Sequence, residues 1–275
     1  MKNQPTAIIV GASSDIGTAL CEFWKRKGWK IAGTYRNLSS KIRNLKANNI
    51  EMVRCDVSNP LSIKTACESL KKHIPKWDIL VNATGDLKPV SPFNKSEFDT
   101  WENSVVLNFS SQMRIIHTLL PSRNTQNSIG PGVLLFAGGG TNNATTNYSA
   151  YTISKIALIK MCEILDAEIP DTRFSIIGPG WVNTKIHKAT LQAGSENAGE
   201  IFDSTQEMIL GDTAVPMEQV LASCDWLVNQ PRNIVGGRNF STAHDDWGTT
   251  ELNEALKKDP NMYKLRRFGN DWNKH

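Results

Sequence analysis

The stretch Thr6-Ala-Ile-Ile-Val-Gly-Ala-Ser-Ser-Asp-Ile-Gly17 opens the chain with an apolar run that leads into a glycine-rich turn. Short apolar runs bounded by glycine are typical of strands that are buried on both faces of a sheet. From Ile16 to Trp24 apolar residues recur at helical spacing, and Gly28 closes the pattern. The stretch therefore predicts a strand, a tight turn and a helix, in that order.

The same alternation continues along the rest of the chain. Further strands are predicted near residues 30–35, 50–55, 78–81, 133–137, 173–177 and 238–242, and further helices near 39–48, 60–73, 97–120, 149–168 and 217–229. Parallel strands need crossover connections, and right-handed βαβ units stack into an open sheet with helices on both faces. We therefore predict an α/β fold and a single domain over residues 1–275.

Two stretches depart from this regular pattern. Residues 185–213 are polar, contain three glycines and show only patchy helical spacing. We interpret them as a mobile segment that covers the substrate. Residues 246–275 follow the last predicted strand and form a C-terminal extension.

Composition and charge exclude several function classes. The net charge is +4, and no basic stripe with interleaved aromatic residues points to nucleic acid. No apolar run approaches the ~18 residues of a membrane span, and nothing resembles a signal peptide. The histidines lack metal-ligand spacing, and the five cysteines form no CxxC pair. We expect a cytoplasmic protein with reduced thiols and without a metal, membrane or nucleic-acid partner.

The glycine-rich turn predicts a phosphate site. Gly11 lets the chain turn sharply, and Gly17 lets the helix pack close to the strand. Free amides at the helix start and the helix dipole favour a pyrophosphate, although such a turn also serves plain packing. The residues expected at this site are Gly11, Ser13, Ser14, Asp15, Ile16 and Gly17.

Polar residues also follow the next three strands. Arg36 stands where NAD-binding sheets usually carry an acid for the ribose 2′-hydroxyl, and an arginine there can hold the 2′-phosphate of NADP. The alternative is a solvated arginine. Asp56 can accept from the adenine amino group, and Asn82 and Gly85 can flank the cofactor. NADP(H) is therefore the expected cofactor.

Tyr151 and Lys155 lie four residues apart on one predicted helix and share a face. A tyrosine hydroxyl titrates near ~10, which is too high for efficient proton exchange at neutral pH. A lysine ammonium one turn away favours the phenolate and is expected to lower the pKa. A tyrosine and a lysine at this spacing also occur as exposed pairs without a function. The pair is informative here because it follows the fifth predicted strand of a dinucleotide-binding sheet.

In this order the motifs resemble the short-chain dehydrogenase/reductase family over about residues 5–242. The resemblance implies a Rossmann-type doubly wound parallel sheet of about seven strands, and hydride transfer between nicotinamide and a carbonyl or alcohol. It also implies a homodimer or homotetramer, since the long helices pair between subunits in this family. The matching segments are residues 11–17, Asp56-Val57, Asn82-Ala-Thr-Gly85, Leu107-Asn108-Phe109, Tyr151-Thr-Ile-Ser-Lys155 and Pro179-Gly-Trp-Val-Asn-Thr184.

The resemblance further implies roles for individual residues. Tyr151 is the expected general acid in reduction and general base in oxidation, and Lys155 also holds the nicotinamide ribose. Asn108 is expected to kink its helix and to support a water relay to Lys155. Cofactor contacts are also implied for Val57, Pro179, Gly180, Val182 and Thr184.

Three positions depart from the family pattern. Asp15 replaces the middle glycine of the phosphate loop, and Ala83 replaces the second asparagine after the fourth strand. Gly138 stands thirteen residues before the tyrosine, where the family usually has its catalytic serine. Three replacements stay open: the Thr141 hydroxyl, the amides of the glycine run, or a hydrogen-bonding group of the substrate.

The substrate prediction rests on loop composition. Segment 185–213 carries Lys185, His187 and Lys188 and is less apolar than a steroid or long-acyl pocket. The tail 262–268 resembles tails of bacterial reductases associated with surface-polysaccharide sugars. We expect a polar small-molecule carbonyl or alcohol, with a sugar-derived compound as one option. The alternatives are a 3-oxoacyl thioester, or a catalytically weak or inactive NADP(H)-binding regulator.

Overall fold

Seven parallel strands form one sheet in the structure, a computed structural model that describes residues 4–268. They lie in the order β3-β2-β1-β4-β5-β6-β7, so the strand order reverses between β1 and β4. This confirms the predicted Rossmann-type sheet. Residues 1–3 and 269–275, with the end of the predicted C-terminal extension, lie outside the described residues. The strands are β1 (Thr6–Val10), β2 (Lys30–Tyr35), β3 (Glu51–Arg54), β4 (Ile79–Asn82), β5 (Gly132–Phe136), β6 (Arg173–Gly178) and β7 (Arg238–Ser241).

Helices cover both faces of the sheet. Leu20 of the first helix packs on one face in a core with Val220, and Leu70 and Leu158 pack on the other. Burial on both sides explains why the strands are continuous apolar runs. The helices are α1 (Asp15–Arg26), α2 (Ser40–Ala47), α3 (Pro60–His73), α4 (Phe98–Val105), α5 (Ser111–Leu119), α6 (Ser149–Glu168), α7 (Lys188–Ala198), α8 (Glu200–Leu210), α9 (Met217–Val228), α10 (Arg232–Val235) and α11 (Thr250–Lys258).

The predicted helix over residues 97–120 is interrupted in the structure. A π-helical turn at Val106–Ser110 separates α4 from α5, and Asn108 lies within it. Such turns widen a helix by one residue and occur frequently at functional sites. The helix is therefore irregular at the position where a kink was expected.

Residues 185–213 are more regular than the sequence predicts. They form α7 and α8, with left-handed backbone at Gly194 (φ 73°) and Gly199 (φ 60°). These glycines divide the segment into short helical pieces, and this division weakens the helical periodicity over the whole stretch. The interpretation of the segment as a mobile cover for the substrate stays a prediction.

The C-terminal extension docks against the edge strand β7. Arg238 is buried and donates to the carbonyl oxygens of Leu256, Asp259 and Met262, which end α11 and begin the tail. The amide of Asn239 donates to the Tyr263 carbonyl at 2.8 Å. These bonds bring the tail to the same end of the sheet as the strand-end motifs.

Candidate active site

A cleft of about 1180 Å³ opens at the carboxyl ends of the parallel strands. Ligands of open α/β sheets bind in this crevice, at the point where the strand order reverses. The cleft brings together residues that lie far apart in the chain, among them Ser14, Asp15, Ile16, Arg36, Gly85, Gly138, Tyr151, Lys155, Pro179, Gly180, Val182 and Thr184.

The turn after β1 has the backbone that the phosphate-site prediction requires. Gly11 has a left-handed φ of 78°, and an added Cβ would lie 2.9 Å from Cγ2 of Thr84. A Cβ on Gly17 would lie 2.3 Å from the Gly11 carbonyl oxygen. Ser14 caps α1 by accepting from the Gly17 amide at 3.0 Å. The other amides of the first turn have no partner within the helix and can bind an anion.

Asp15 links the phosphate turn to two other parts of the chain. Its carboxylate accepts from the Lys41 ammonium at 2.6 Å and from the Lys185 amide at 2.7 Å. The Lys185 ammonium in turn donates to the Ser13 carbonyl oxygen. Partial burial alone would raise the pKa of Asp15, but these hydrogen bonds hold it below its usual value. We call the two hydrogen bonds that join Lys185 to Asp15 and to Ser13 the clasp.

The residues predicted for the adenosine end lie after β2, β3 and β4. The Asp56 carboxylate accepts from the hydroxyl and the amide of Ser58, and these bonds hold its pKa low, with a smaller contribution from the nearby Arg36 charge. Val57 packs against the core. Asn82 accepts from the Thr84 hydroxyl at 2.6 Å, while its own Nδ2 is buried with no partner.

Tyr151 and Lys155, the predicted catalytic pair, lie inside the cleft on α6. Lys155 is 3 % exposed and donates to the Phe136 carbonyl at 2.9 Å. Its Nζ lies 5.5 Å from the centroid of the Tyr151 ring. Burial raises the pKa of Tyr151 to about 12 and lowers that of Lys155 to about 8. Burial therefore moves the pKa of Tyr151 in the direction opposite to the one expected from the neighbouring lysine.

Asn108 is fully buried beside the catalytic pair. Its amide nitrogen donates to the carbonyl oxygens of Asp86 and Ser104, and its side-chain oxygen accepts from the Asp86 amide. The Asn108 carbonyl accepts from Gln112 at 2.9 Å. Sequence reasoning missed Gln112. Its place four residues after Asn108, on the same helix face, was the signal that would have found it.

The segment after β6 forms the wall opposite the phosphate turn. Gly180 has a left-handed φ of 76°, and a Cβ there would lie 2.6 Å from Val215. Trp181 stacks on His187 with 4.3 Å between ring centroids, and the His187 ring nitrogen bonds the Val182 carbonyl at 3.0 Å. The segment from Pro179 to Thr184, which was predicted to cradle the nicotinamide, is therefore fixed in place by Val215 and His187, which lie outside the strands.

The rest of the cleft mixes apolar and polar surfaces. Leu87 and Ala189 form an apolar wall with Tyr148, whose hydroxyl donates to Thr190 at 2.9 Å. Both α7 and α8 contribute lining residues, as do the tail residues from Tyr263 to Arg266. Sequence reasoning did not place the tail at the cleft, because its contacts are with distant elements.

The position of the missing serine also lies in the cleft. Gly138, Gly139, Gly140 and Thr141 all line it, close to Tyr151. The predicted replacements for the serine, the Thr141 hydroxyl or the glycine amides, therefore remain predictions.

A protein-family model described as short chain dehydrogenase matches residues 5–194. This protein belongs to the short-chain dehydrogenase family. An uncharacterized oxidoreductase of Staphylococcus saprophyticus is 27% identical over 188 residues, which cover 66% of this chain and 79% of that one. A probable NADP-dependent dehydrogenase of Haemophilus influenzae is 23% identical and covers 83% of this chain and 89% of its own length.

Solved structures of short-chain dehydrogenases share the fold. One from Saccharomyces cerevisiae superposes with a TM-score of 0.76 at 20% identity, over 91% of this chain and 98% of that one. Members of the family are oxidoreductases that bind a nicotinamide cofactor and act on small molecules.

The described residues fit such a cofactor. The turn after Gly11 directs the amides of the first helical turn towards the cleft. The buried Nδ2 of Asn82 has no partner within the described residues and can donate a hydrogen bond to a cofactor. Within residues 4–268, no three or more His, Cys, Asp or Glu side chains cluster as metal ligands. Over the same residues, every helix is too short or too polar to cross a membrane.

Proposed function

We propose that this short-chain dehydrogenase is an NADP(H)-dependent oxidoreductase that interconverts a polar carbonyl compound and its alcohol. The observation that carries the proposal is the position of Tyr151 and Lys155. Both lie inside a cleft at the switch point of a dinucleotide-binding sheet, on neighbouring turns of one helix. This position supports an acid–base role for the pair.

In the reductive direction, Tyr151 donates the proton that the carbonyl oxygen needs as it becomes a hydroxyl. A reduced nicotinamide bound in the cleft would supply the hydride. Burial keeps the Tyr151 phenol protonated at neutral pH, but with its pKa raised to about 12 it can donate its proton only if a neighbouring positive charge stabilises the phenolate. The Lys155 side chain lies beside the phenol and stabilises the phenolate that remains.

Asn108 contributes by holding the surroundings of Lys155. A Cβ on Gly85 would lie 3.7 Å both from the Asn108 side-chain oxygen and from the Lys155 ammonium, so these three residues meet at one point. The two hydrogen bonds between Asn108 and Asp86 fix the loop after β4 in place. Asn108 is therefore proposed to support Lys155 rather than to transfer a proton itself.

The proposal of NADP(H) over NAD(H) rests on charge. Arg36 follows β2 and lines the same cleft as Ser14, and the Asp56 carboxylate is near enough for the Arg36 charge to lower its pKa slightly. A guanidinium there suits a 2′-phosphate. Cations also outnumber acids around the whole cleft: Arg36, Lys88, Lys155, Lys185, Lys188, Lys264 and Arg266 line it, against Asp15, Asp86 and Asp245.

The same charges support a polar substrate. Lys88, Lys188 and Gln192 line the cleft near Tyr148 and the apolar wall. A sugar-derived or anionic compound would contact these groups while its carbonyl reaches Tyr151. Segment 185–213 is proposed to cover this substrate, because α7 and α8 both contribute to the lining.

The functional unit is proposed to be a homodimer or homotetramer in the cytoplasm. Phe98 is 59% exposed and stacks on Trp101 of α4, and Ile153 of α6 is 50% exposed. Apolar side chains of this size on neighbouring helices support pairing with a second copy. The five cysteines are free and buried, which is compatible with a reducing compartment.

The test is a binding titration with NADPH and NADH, followed by turnover on a panel of carbonyl compounds. We expect tighter binding of NADPH, and turnover that Tyr151→Phe lowers by at least ~100-fold. Tyr148→Phe is the matched control, because its hydroxyl lies in the same cleft but is bonded to Thr190. Turnover retained in Tyr151→Phe contradicts the assignment, and NADPH binding without any turnover favours a regulator.

A further inference from the structure

The space beside Gly138 is filled by the catalytic pair. A Cβ added at Gly138 would lie 2.8 Å from Cε1 and 2.9 Å from the hydroxyl oxygen of Tyr151. It would also lie 2.9 Å from Cγ of Lys155. Carbon atoms in contact normally keep about 3.5–4.0 Å apart. No side chain fits at Gly138 unless Tyr151 or Lys155 moves.

The atoms that would have to move are those of the proposed acid. The close contacts of Gly138 are the phenol and a side-chain stem, with no backbone atom among them. The Lys155 side chain is buried and its ammonium is bonded to Phe136, so it resists displacement. The phenol ring of Tyr151 is therefore the group that a side chain at position 138 displaces.

We propose that Gly138 is a positioning residue for the reaction, because its missing side chain sets the place of the Tyr151 phenol. The family's serine is then absent here for a structural reason: the tyrosine occupies the volume that a serine side chain would need. The contribution of position 138 is then the space that it leaves for the Tyr151 phenol, and adding a serine hydroxyl there should not raise the activity. This inference rests on the proposed function, in which Tyr151 donates the proton.

Gly139 offers a matched control next in the chain. A Cβ added there meets no atom within 4 Å, and Gly139 is exposed. Gly138→Ala and Gly139→Ala therefore make the same chemical change in the same loop, with and without a clash. Gly138→Ser adds a hydroxyl, and it should raise the activity if the protein merely lacks the family's serine.

The experiment compares these three variants with the wild-type enzyme in turnover and in NADPH binding. We expect kcat to fall by about 100-fold or more in Gly138→Ala and Gly138→Ser, since a misplacement of about 1 Å can cost that much. The NADPH dissociation constant should stay within about threefold of wild type in all variants, and Gly139→Ala should lose at least about tenfold less kcat than Gly138→Ala, because its added Cβ meets no atom within 4 Å. A rise of kcat in Gly138→Ser overturns the inference, as does equal activity of the two alanine variants.

A second readout does not depend on turnover. Crystal structures of the Gly138→Ala and Gly139→Ala proteins should show the Tyr151 hydroxyl displaced only in the first. An unmoved Tyr151 in Gly138→Ala overturns the inference even if no substrate has been found. Failure of the proposed function has a different signature, since Tyr151→Phe would then turn over as fast as the wild type.

Discussion

Lys155 is a charged group buried where the fold would prefer a neutral one, so its removal should stabilise the ligand-free protein. Its side chain is 3% exposed, and desolvation lowers its pKa from 10.5 to about 8. Below pH 8 the lysine is charged in both the folded and the unfolded chain, and the folded state bears the whole desolvation cost. Above about pH 10.5 it is neutral in both states, and the cost disappears.

The size of the effect follows from this pKa shift. One pKa unit corresponds to about 1.4 kcal/mol, so the desolvation cost at pH 7 is about 3 kcal/mol. At pH 10 the unfolded lysine is largely protonated but no longer fully, and less than about 1 kcal/mol of the cost remains. Relative to Lys155→Met, the wild type should therefore gain about 2–3 kcal/mol in unfolding free energy between pH 7 and pH 10.

The assay is urea unfolding of wild type and Lys155→Met at pH 7 and pH 10, without cofactor. Loss of the hydrogen bond to Phe136 shifts the variant by about 1 kcal/mol at both pH values, so it cancels from the comparison. Lys160→Met, at an exposed position of the same helix, is the control and should show little change with pH. An equal stability difference between wild type and Lys155→Met at both pH values would refute the reasoning.

Three further predictions concern the cofactor and the assembly. Arg36→Ser should weaken NADPH binding about 10- to 100-fold and leave NADH binding nearly unchanged, because a charge-assisted hydrogen bond contributes about 1.5–3 kcal/mol; equal losses for both cofactors would count against Arg36. Asp15→Gly removes the carboxylate that accepts from the Lys185 amide and so opens the clasp. Stopped-flow fluorescence should then show NADPH dissociating several-fold faster than from wild type. An unchanged dissociation rate would mean that the clasp does not retain the cofactor. Phe98→Glu places a charge in the exposed aromatic stack on Trp101, and light scattering should show a smaller assembly than for wild type; the same mass would place the subunit interface elsewhere.

The sequence by itself was enough to predict the seven strands in order, the main helices between them and the sheet type, and it placed Tyr151 and Lys155 on one helix. These features depend on short-range geometry. An apolar run between glycines predicts a buried strand, and a tyrosine and a lysine four residues apart share one helix face whatever surrounds them. The Gly11 turn and the Tyr151–Lys155 pair therefore appear in the structure where they were expected.

Only the tertiary structure decided what surrounds these residues. Asp15 and Lys185 meet across 170 positions of sequence, and Glu163 and Arg266 meet across 103. No local pattern encodes such contacts, because they depend on how the completed sheet positions its loops. The polar segment 185–213 proved to be helical for the same reason, since helices of its length gain their stability from packing.

The direction of the pKa shifts at the site was also a tertiary property. Spacing alone predicted that Lys155 lowers the pKa of Tyr151, yet burial of the phenol raises it. Likewise, the sequence showed that Gly138 lacks a hydroxyl, but only the fold showed that Tyr151 occupies the space where one would stand. Desolvation and steric exclusion arise from atoms that are distant in the chain, so residue types and their spacing do not reveal them.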